Sequence, residues 1–236
     1  MSIHLRYALG RLLRKCGYRI TREYRWPEIH GNLLLLGFSL LRSRHHGLIQ
    51  IVQIGAFDGQ VADPLADILR LENVSAVLVE PQTIPYKALV AHYEGNPRIS
   101  LVNAAVAESD GEVILYVPSS RESPKASLIA GHHRRFGVTA REVHQVVVPS
   151  MSVASLLQTY HIEHVHILQI DTEGMDYHVL NWFFDADVQP AMINFENLHL
   201  GRRERSASRE LLRTNGYWWI ETSQDTFAIK EFLARP

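Results

Sequence analysis

Apolar positions change their period several times along the chain. Over residues 3–16, Leu5, Leu9, Leu12, Leu13 and Cys16 recur at helical spacing, with Arg6, Arg11, Arg14 and Lys15 between them. That is the pattern of an amphipathic helix. A second helix is predicted over 27–42. The pattern then shortens: residues 48–54 are apolar and β-branched and end at Gly55, as expected of a buried parallel strand. Strand-like and helical stretches alternate from there. The spacing predicts a helix over 61–71, a strand over 76–79 ending in Glu80-Pro81, a helix over 85–93 and a strand over 99–106. A strand over 112–117 follows the turn Ser109-Asp110-Gly111. Residues 118–142 show no period and read as a long, partly helical loop of the kind that covers sites. Further strands are predicted at 146–149, 165–170 and 191–196, and helices at 153–160, 175–184 and 203–215, the last ended by Gly216. A closing antiparallel hairpin pairs 217–221 with 226–230.

Strands alternating with helices imply right-handed crossovers and a doubly wound, mainly parallel α/β sheet. The reading divides the chain into an N-terminal helical extension, 1–47, and one α/β domain, 48–236. Hydrophobic residues make up 46% and charged residues 21%, the balance of a soluble globular protein. The net charge of −1 argues against a nucleic-acid partner. Cys16 stands alone, so no intramolecular disulfide can form, which fits a reducing compartment. The longest apolar run, 33–41, is interrupted by Gly37 and Ser39 and falls far short of the ~20 residues of a membrane span. Arg11, Arg14 and Lys15 break any signal-peptide core. A cytoplasmic location is therefore expected. The basic face of the first helix, extended by Arg19, Arg22 and Arg25, is either simply solvated or meets anionic lipid or an acidic partner.

In a sheet of this kind ligands bind beyond the carboxyl ends of the strands, where strand order reverses. Ile54-Gly55-Ala56-Phe57-Asp58-Gly59 follows the first strand, and its glycines permit a sharp turn and close approach. The spacing is G-x-x-x-G, not the G-x-G-x-x-G that cradles a pyrophosphate; a methionine-bearing nucleoside needs no such nest. Glu80 ends the next strand, where a carboxylate can accept both ribose hydroxyl protons. At the third strand, Asn103-Ala104-Ala105 combines small side chains with an amide that offers a donor and an acceptor. Asp171-Thr172-Glu173-Gly174-Met175-Asp176 puts three carboxylates at a strand end and helix start, where helix capping is the plain alternative for Glu173 and Asp176. Asn194-Phe195-Glu196-Asn197-Leu198-His199 adds an acid, amides and an imidazole. Adjacent strand ends would bring Asp171, Glu196 and His199 towards one pocket. Together these features point to a nucleoside site without separating S-adenosylmethionine from NAD.

The ordered blocks Ile51-Val52-Gln53-Ile54-Gly55-Ala56-Phe57-Asp58-Gly59, Val79-Glu80-Pro81-Gln82, Asn103-Ala104-Ala105-Val106, Gly111-Glu112-Val113, Leu168-Gln169-Ile170-Asp171-Thr172-Glu173-Gly174-Met175-Asp176 and Asn194-Phe195-Glu196 resemble the FkbM family of S-adenosylmethionine-dependent methyltransferases. The resemblance spans about residues 49–230. It implies a class I methyltransferase fold, a Rossmann-like seven-stranded sheet whose last strand is antiparallel, with S-adenosyl-L-methionine as cofactor. It also implies that Gly55, Ala56, Asp58 and Gly59 hold the methionine end and that Glu80, with Pro81, meets the ribose. Asn103 and Ala104 would lie by the adenine and Asp171 near the sulfonium. The chain departs from many relatives in having Gln53 for Asp, Phe57 for Asn and Gln169 for Lys.

The implied reaction is methyl transfer to a hydroxyl of a sugar, glycan or small natural product, with N-methylation as the variant. Asp171 and His199, then Glu196, are the candidate bases. No metal site is assigned. His132-His133 and His161, His164 and His166 show no metal-ligand framework in their spacing, although Asp171 and Glu196 together suit a hard cation. The rivals are an NAD-dependent sugar-modifying oxidoreductase and a non-catalytic binding or scaffold protein that retains the fold.

Overall fold

Strands β1 (Ile49–Ile54) and β2 (Val74–Val79) are apolar on both faces and almost wholly buried, so neither alternates in hydropathy. They lie within a seven-stranded sheet in the computed structural model, which describes residues 33–61, 63–118 and 123–234. The predicted helix over 3–16 and the basic residues Arg19, Arg22 and Arg25 lie outside the described residues.

The sheet is completed by β3 (Ile99–Val102), β7 (Ile167–Ile170), β8 (Met192–Glu196), β9 (Tyr217–Glu221) and β10 (Asp225–Lys230), in the order β3-β2-β1-β7-β8-β10-β9. β3, β2, β1, β7 and β8 are parallel; β10 runs antiparallel to β8 and to β9. Strand order therefore reverses between β1 and β7. The register aligns Gln53, Gln169 and Asn194 across three neighbouring strands.

Alternate residues feed two cores. Val52, Ile54, Leu168, Ile170, Ile193 and Phe195 pack with Val153 and Leu156 of α3 (Val153–Thr159), Val179, Leu180 and Phe183 of α4 (Asp176–Asp185) and Leu212 of α5 (Arg202–Thr214). On the other face, Ile49, Ile51, Ala76, Leu78 and Ile167 meet Leu34, Phe38 and Leu41 of α1 (Leu33–Arg44) and Leu89 of α2 (Thr83–His92). The described part of the 1–47 segment thus contributes to the core of the α/β domain. A short helix, α6 (Glu231–Ala234), follows β10. No helix among the described residues is long and apolar enough to cross a membrane.

Two predicted elements differ. In place of the helix predicted over 61–71, residues 63–71 form successive turns: the Asp63 carboxylate accepts the Leu65 N–H and the Gln53 amide, and i→i+3 bonds follow from Ile68 to Leu65 and from Leu71 to Ile68. Leu65, Ile68 and Leu69 are nevertheless fully buried, so the helical spacing reported the core contact correctly. The strand expected over 99–106 breaks after Val102. Asn103 donates its side-chain N–H to the carbonyls of Glu80 and Pro81. The chain then enters a second sheet as β4 (Ala105–Val106), beside β6 (Val143–Met151), which also pairs with β5 (Gly111–Pro118). β6 is longer than the predicted 146–149 because its polar flank, His144 and Gln145, pairs with β5 while exposed on the outside. Within the 118–142 loop, residues His132–Phe136 and Ala140–Glu142 form 3-10 turns.

Candidate functional site at the strand-order reversal

The loops that leave β1 and β7 touch. Asp171 donates its backbone N–H to Ile54 O at 2.9 Å, and Gly55 and Ala56 donate theirs to Val79 O. Gly55 has φ of +83°, and a Cβ there would stand 1.8 Å from the Asp171 carbonyl oxygen. Only glycine allows this contact. Gly59 also has positive φ, but its missing side chain makes room for Leu89 and Tyr93, away from the reversal. Asp58 turns back on its own loop, accepting the N–H groups of Gln60 and Val61 at 2.9 Å.

Beyond these strand ends lies a cavity of about 290 Å³, at the lower edge of the ~300–1,000 Å³ usual for small-molecule pockets. Its walls include Gln53, Gly55, Ala56 and Phe57 after β1, Glu80, Pro81 and Gln82 after β2, Ala104 after β3, and Gln169, Asp171 and Glu173 after β7. Pro124, Ala126 and Leu128 of the long loop form a further wall. Asp58, Gly59, Asn103, Glu196 and His199 do not line this cavity.

Glu80 is 3% exposed. Its Oε2 accepts the Phe57 N–H at 2.9 Å and its Oε1 accepts the Gln82 backbone and side-chain N–H groups. A carboxylate has about four lone-pair sites, so Oε2 retains capacity for one more donor, where the sequence reading gave it both ribose hydroxyls. Burial pushes the Glu80 carboxyl up to about 7, against those hydrogen bonds and with a small upward contribution from Asp58. The Asn103 donor is taken by the β2 terminus, which leaves Ala104 to shape the wall beside it.

Gln53 is buried and its Oε1 has no hydrogen-bond partner. The Gln169 Oε1 accepts the Asn194 side-chain N–H at 2.9 Å. Gln53 and Gln169, two of the three departures noted in the sequence, therefore sit opposite each other on β1 and β7 as two neutral amides.

The acids after β7 divide their work. Asp176 is fully buried and ties the loop by accepting the N–H groups of Gly174 at 3.1 Å and Thr172 at 3.4 Å; burial holds it up at about 6. Glu173 has φ of +52°, held by the Ser127 hydroxyl, which donates to its carbonyl at 2.8 Å. Asp171 is open to solvent through the cavity, yet the concave surroundings and the carboxylates of Asp176 and Glu173 push it up to about 8. Glu196 rises to about 9 through burial and the charge of Asp171. One oxygen each of Asp171, Glu173 and Glu196 lie within 4.8 Å of one another, as do Glu173 Oε2 and the Nε2 atoms of His132 and His199 as a second group. His199 is buried behind Glu173, and desolvation lowers its pKa although Glu173 opposes the fall.

The sequence reading missed Gln82, Ser127 and the role of Glu173 as the residue common to both groups. Gln82 also binds Ser123, donating to its carbonyl and accepting its N–H. No local motif signals such contacts; they join segments more than 40 positions apart.

The model of the methyltransferase FkbM domain matches residues 53–218. None of the curated proteins matches the chain. Among solved structures, methyltransferase FkbM from Methylobacillus flagellatus KT is similar at TM-score 0.51 and 12% identity, over 77% of this chain and 43% of that one. The present chain thus spans less than half the length of that protein. An O-methyltransferase from Bacillus cereus, in complex with SAH, gives TM-score 0.45 and 12% identity over 98% of this chain and 91% of that one. A caffeoyl-CoA O-methyltransferase described from Staphylococcus aureus gives 0.46 and 10% over 95% and 91%. At such identities the likeness concerns the fold, that of the class I methyltransferases. The family match runs through the ends of β1, β2 and β7 that border the cavity, and the chain belongs to the FkbM methyltransferase family.

Proposed function

We propose that this chain is an S-adenosylmethionine-dependent methyltransferase acting on a hydroxyl of a sugar, glycan or small natural product. The observation that carries the reading is Glu80: a buried carboxylate on the cavity wall at the reversal, with one acceptor position unfilled. The cavity also fits the cofactor elsewhere. Gln53 Oε1 is a buried acceptor without a partner, suited to an amino group, and the Gly55 turn leaves no side chain against the ligand. Glu80 would hold the ribose, the 55–57 turn the methionine end, and Ala104 would leave space for the base. When bound, S-adenosylmethionine supplies an electrophilic methyl group whose carbon–sulfur bond breaks as a carbon–oxygen bond to the acceptor forms.

Asp171 is the base in this reading. Of Asp171, Glu196 and His199 it is the one on the cavity wall, and its raised pKa makes its ionised form a stronger base than an ordinary carboxylate. The alcohol proton passes to it as the methyl group is transferred. Alignment of the reactants supplies most of the acceleration, roughly 7–11 kcal/mol where geometry is good.

Calorimetric titration with S-adenosylhomocysteine and with NAD tests the cofactor. Saturable binding of the first, weakened in Glu80→Ala, is expected; tight NAD binding with no response to S-adenosylhomocysteine would reverse the assignment. With an accepting substrate in hand, Asp171→Asn should slow transfer by about 10²–10⁴-fold while S-adenosylhomocysteine affinity changes little. Equal loss of both would remove Asp171 from the base role.

A further inference from the structure

Behind the cavity wall, residues from three distant segments converge on one carboxylate oxygen. Glu173 Oε2 lies 3.2 Å from His132 Nε2 and 3.2 Å from His199 Nε2, and His199 Nε2 lies 3.4 Å from Glu196 Oε1. We propose that His132, Glu173 and His199, with Glu196 as a fourth donor, form a binding site for a borderline divalent transition-metal ion such as Zn²⁺ or Co²⁺.

The spacing of the atoms is the first argument. Four N and O ligands placed tetrahedrally at ~2.0–2.1 Å from an ion are about 3.3–3.4 Å apart. The three separations, 3.2, 3.2 and 3.4 Å, lie close to that edge. The donor set is the second: two imidazoles and carboxylate oxygens suit zinc, cobalt or iron better than magnesium or calcium, which take all-oxygen shells.

A third observation is independent of both. Glu196 Oε2 is buried and has no hydrogen-bond partner, although an unsatisfied buried acceptor costs ~1–3 kcal/mol, more when charged. Glu173, Glu196 and Asp171 also converge within 4.8 Å. A cation beside Glu196 would satisfy its carboxylate and offset the repulsion among the three acids.

The backbone that carries the ligands is anchored by its neighbours. Arg135 donates to the His199 carbonyl at 2.6 Å, Ser127 donates to the Glu173 carbonyl, and Gly174 leaves room for the His132 ring, which a Cβ there would approach to 3.2 Å. Chain spacing conceals the site, because its ligands lie at 132, 173, 196 and 199 on one loop and two strand ends. An ion here would clip the long loop to the ends of β7 and β8, beside the cavity wall that Glu173 shares. The inference concerns metal binding alone and stands or falls apart from the methyl-transfer reading.

Chelator-treated full-length protein, titrated with Co²⁺ under visible absorption and with Zn²⁺ and Mg²⁺ by calorimetry, provides the test. The expected result is one Co²⁺ or Zn²⁺ per chain at this site, with d–d bands of a low-coordinate cobalt ion and Mg²⁺ at least ~100-fold weaker. His132→Ala and His199→Ala should each weaken Zn²⁺ by about 10–100-fold or more, while His144→Ala, on the exposed face of β6, should leave it unchanged. Far-ultraviolet circular dichroism of the metal-free variants checks that each is folded, and Glu173→Gln, close in size to the original, serves where a histidine variant is not. Absence of saturable Zn²⁺ and Co²⁺ binding would overturn the proposal. So would binding that His132→Ala and His199→Ala leave intact, or Mg²⁺ binding as tight as Zn²⁺.

Discussion

Glu80 holds the turn after β1 and, in the proposed reading, the ribose as well, and its raised pKa of about 7 makes the two separable. A ribose hydroxyl donates to the ionised carboxylate, so affinity for an adenosyl ligand should rise with pH through the folded-state value. If binding requires ionised Glu80, S-adenosylhomocysteine should bind about tenfold more weakly at pH 6 than at pH 8, measured calorimetrically, and Glu80→Gln should bind weakly with a flat profile. A wild-type affinity constant over that range would refute this assignment. Phe57 offers a second residue-scale test. It occupies the left-handed region at φ +48°, where a side chain costs roughly 1–2 kcal/mol and Asn is better tolerated. Phe57→Asn should therefore stabilise the fold by about 1 kcal/mol, seen as a higher midpoint in urea. The place of Gly55 and Glu80 on the cavity wall was legible in the sequence because strand ends announce themselves. His132 and Ser127 were not, since what gives them meaning is a partner dozens of residues away.

At the scale of elements, the buried parallel strands were legible from their β-branched runs and most helices from apolar spacing. The failures share a cause: tertiary hydrogen bonds override local pattern. Asp63 ties the turns over 63–71 to β1 through the Gln53 amide, while Asn103 anchors to the end of β2 and sends the chain to another sheet. Helix α1 was legible, yet its closeness to the sheet was not. At Gly37 a Cβ would lie 2.5 Å from the Phe227 ring and 2.7 Å from the Met192 methyl. The glycine is there for approach, since its φ is ordinary. Gly37→Val should force α1 off β8 and β10 and cost about 1–3 kcal/mol, read as a lower urea midpoint. An unchanged midpoint would mean that Phe227 and Met192 can yield without cost.

Across the whole molecule, the acids crowded at the strand ends make stability depend on pH in an unusual direction. Glu80, Asp171, Asp176 and Glu196 all have folded pKa values above their ordinary ones, at about 7, 8, 6 and 9. Each binds its proton more tightly folded than unfolded, so its stabilising contribution is complete at low pH and disappears as pH rises through the folded value. His166 and His199, lowered by burial, act in the opposite sense, but only below their ordinary value of 6.5. Between pH 7 and 9 the histidines are silent and Asp171 and Glu196 still titrate. Solvent reaching Asp171 through the cavity weakens its share, which makes Glu196 the stronger lever. The melting temperature of the chelator-treated protein should therefore fall from pH 7 to pH 9, and the double variant Asp171→Asn, Glu196→Gln should flatten that slope. A flat wild-type profile would mean that these carboxylates are better solvated than their setting implies. Packing and chain entropy contribute little to such a slope, so the measurement isolates the cost of gathering several acids at the ends of β7 and β8.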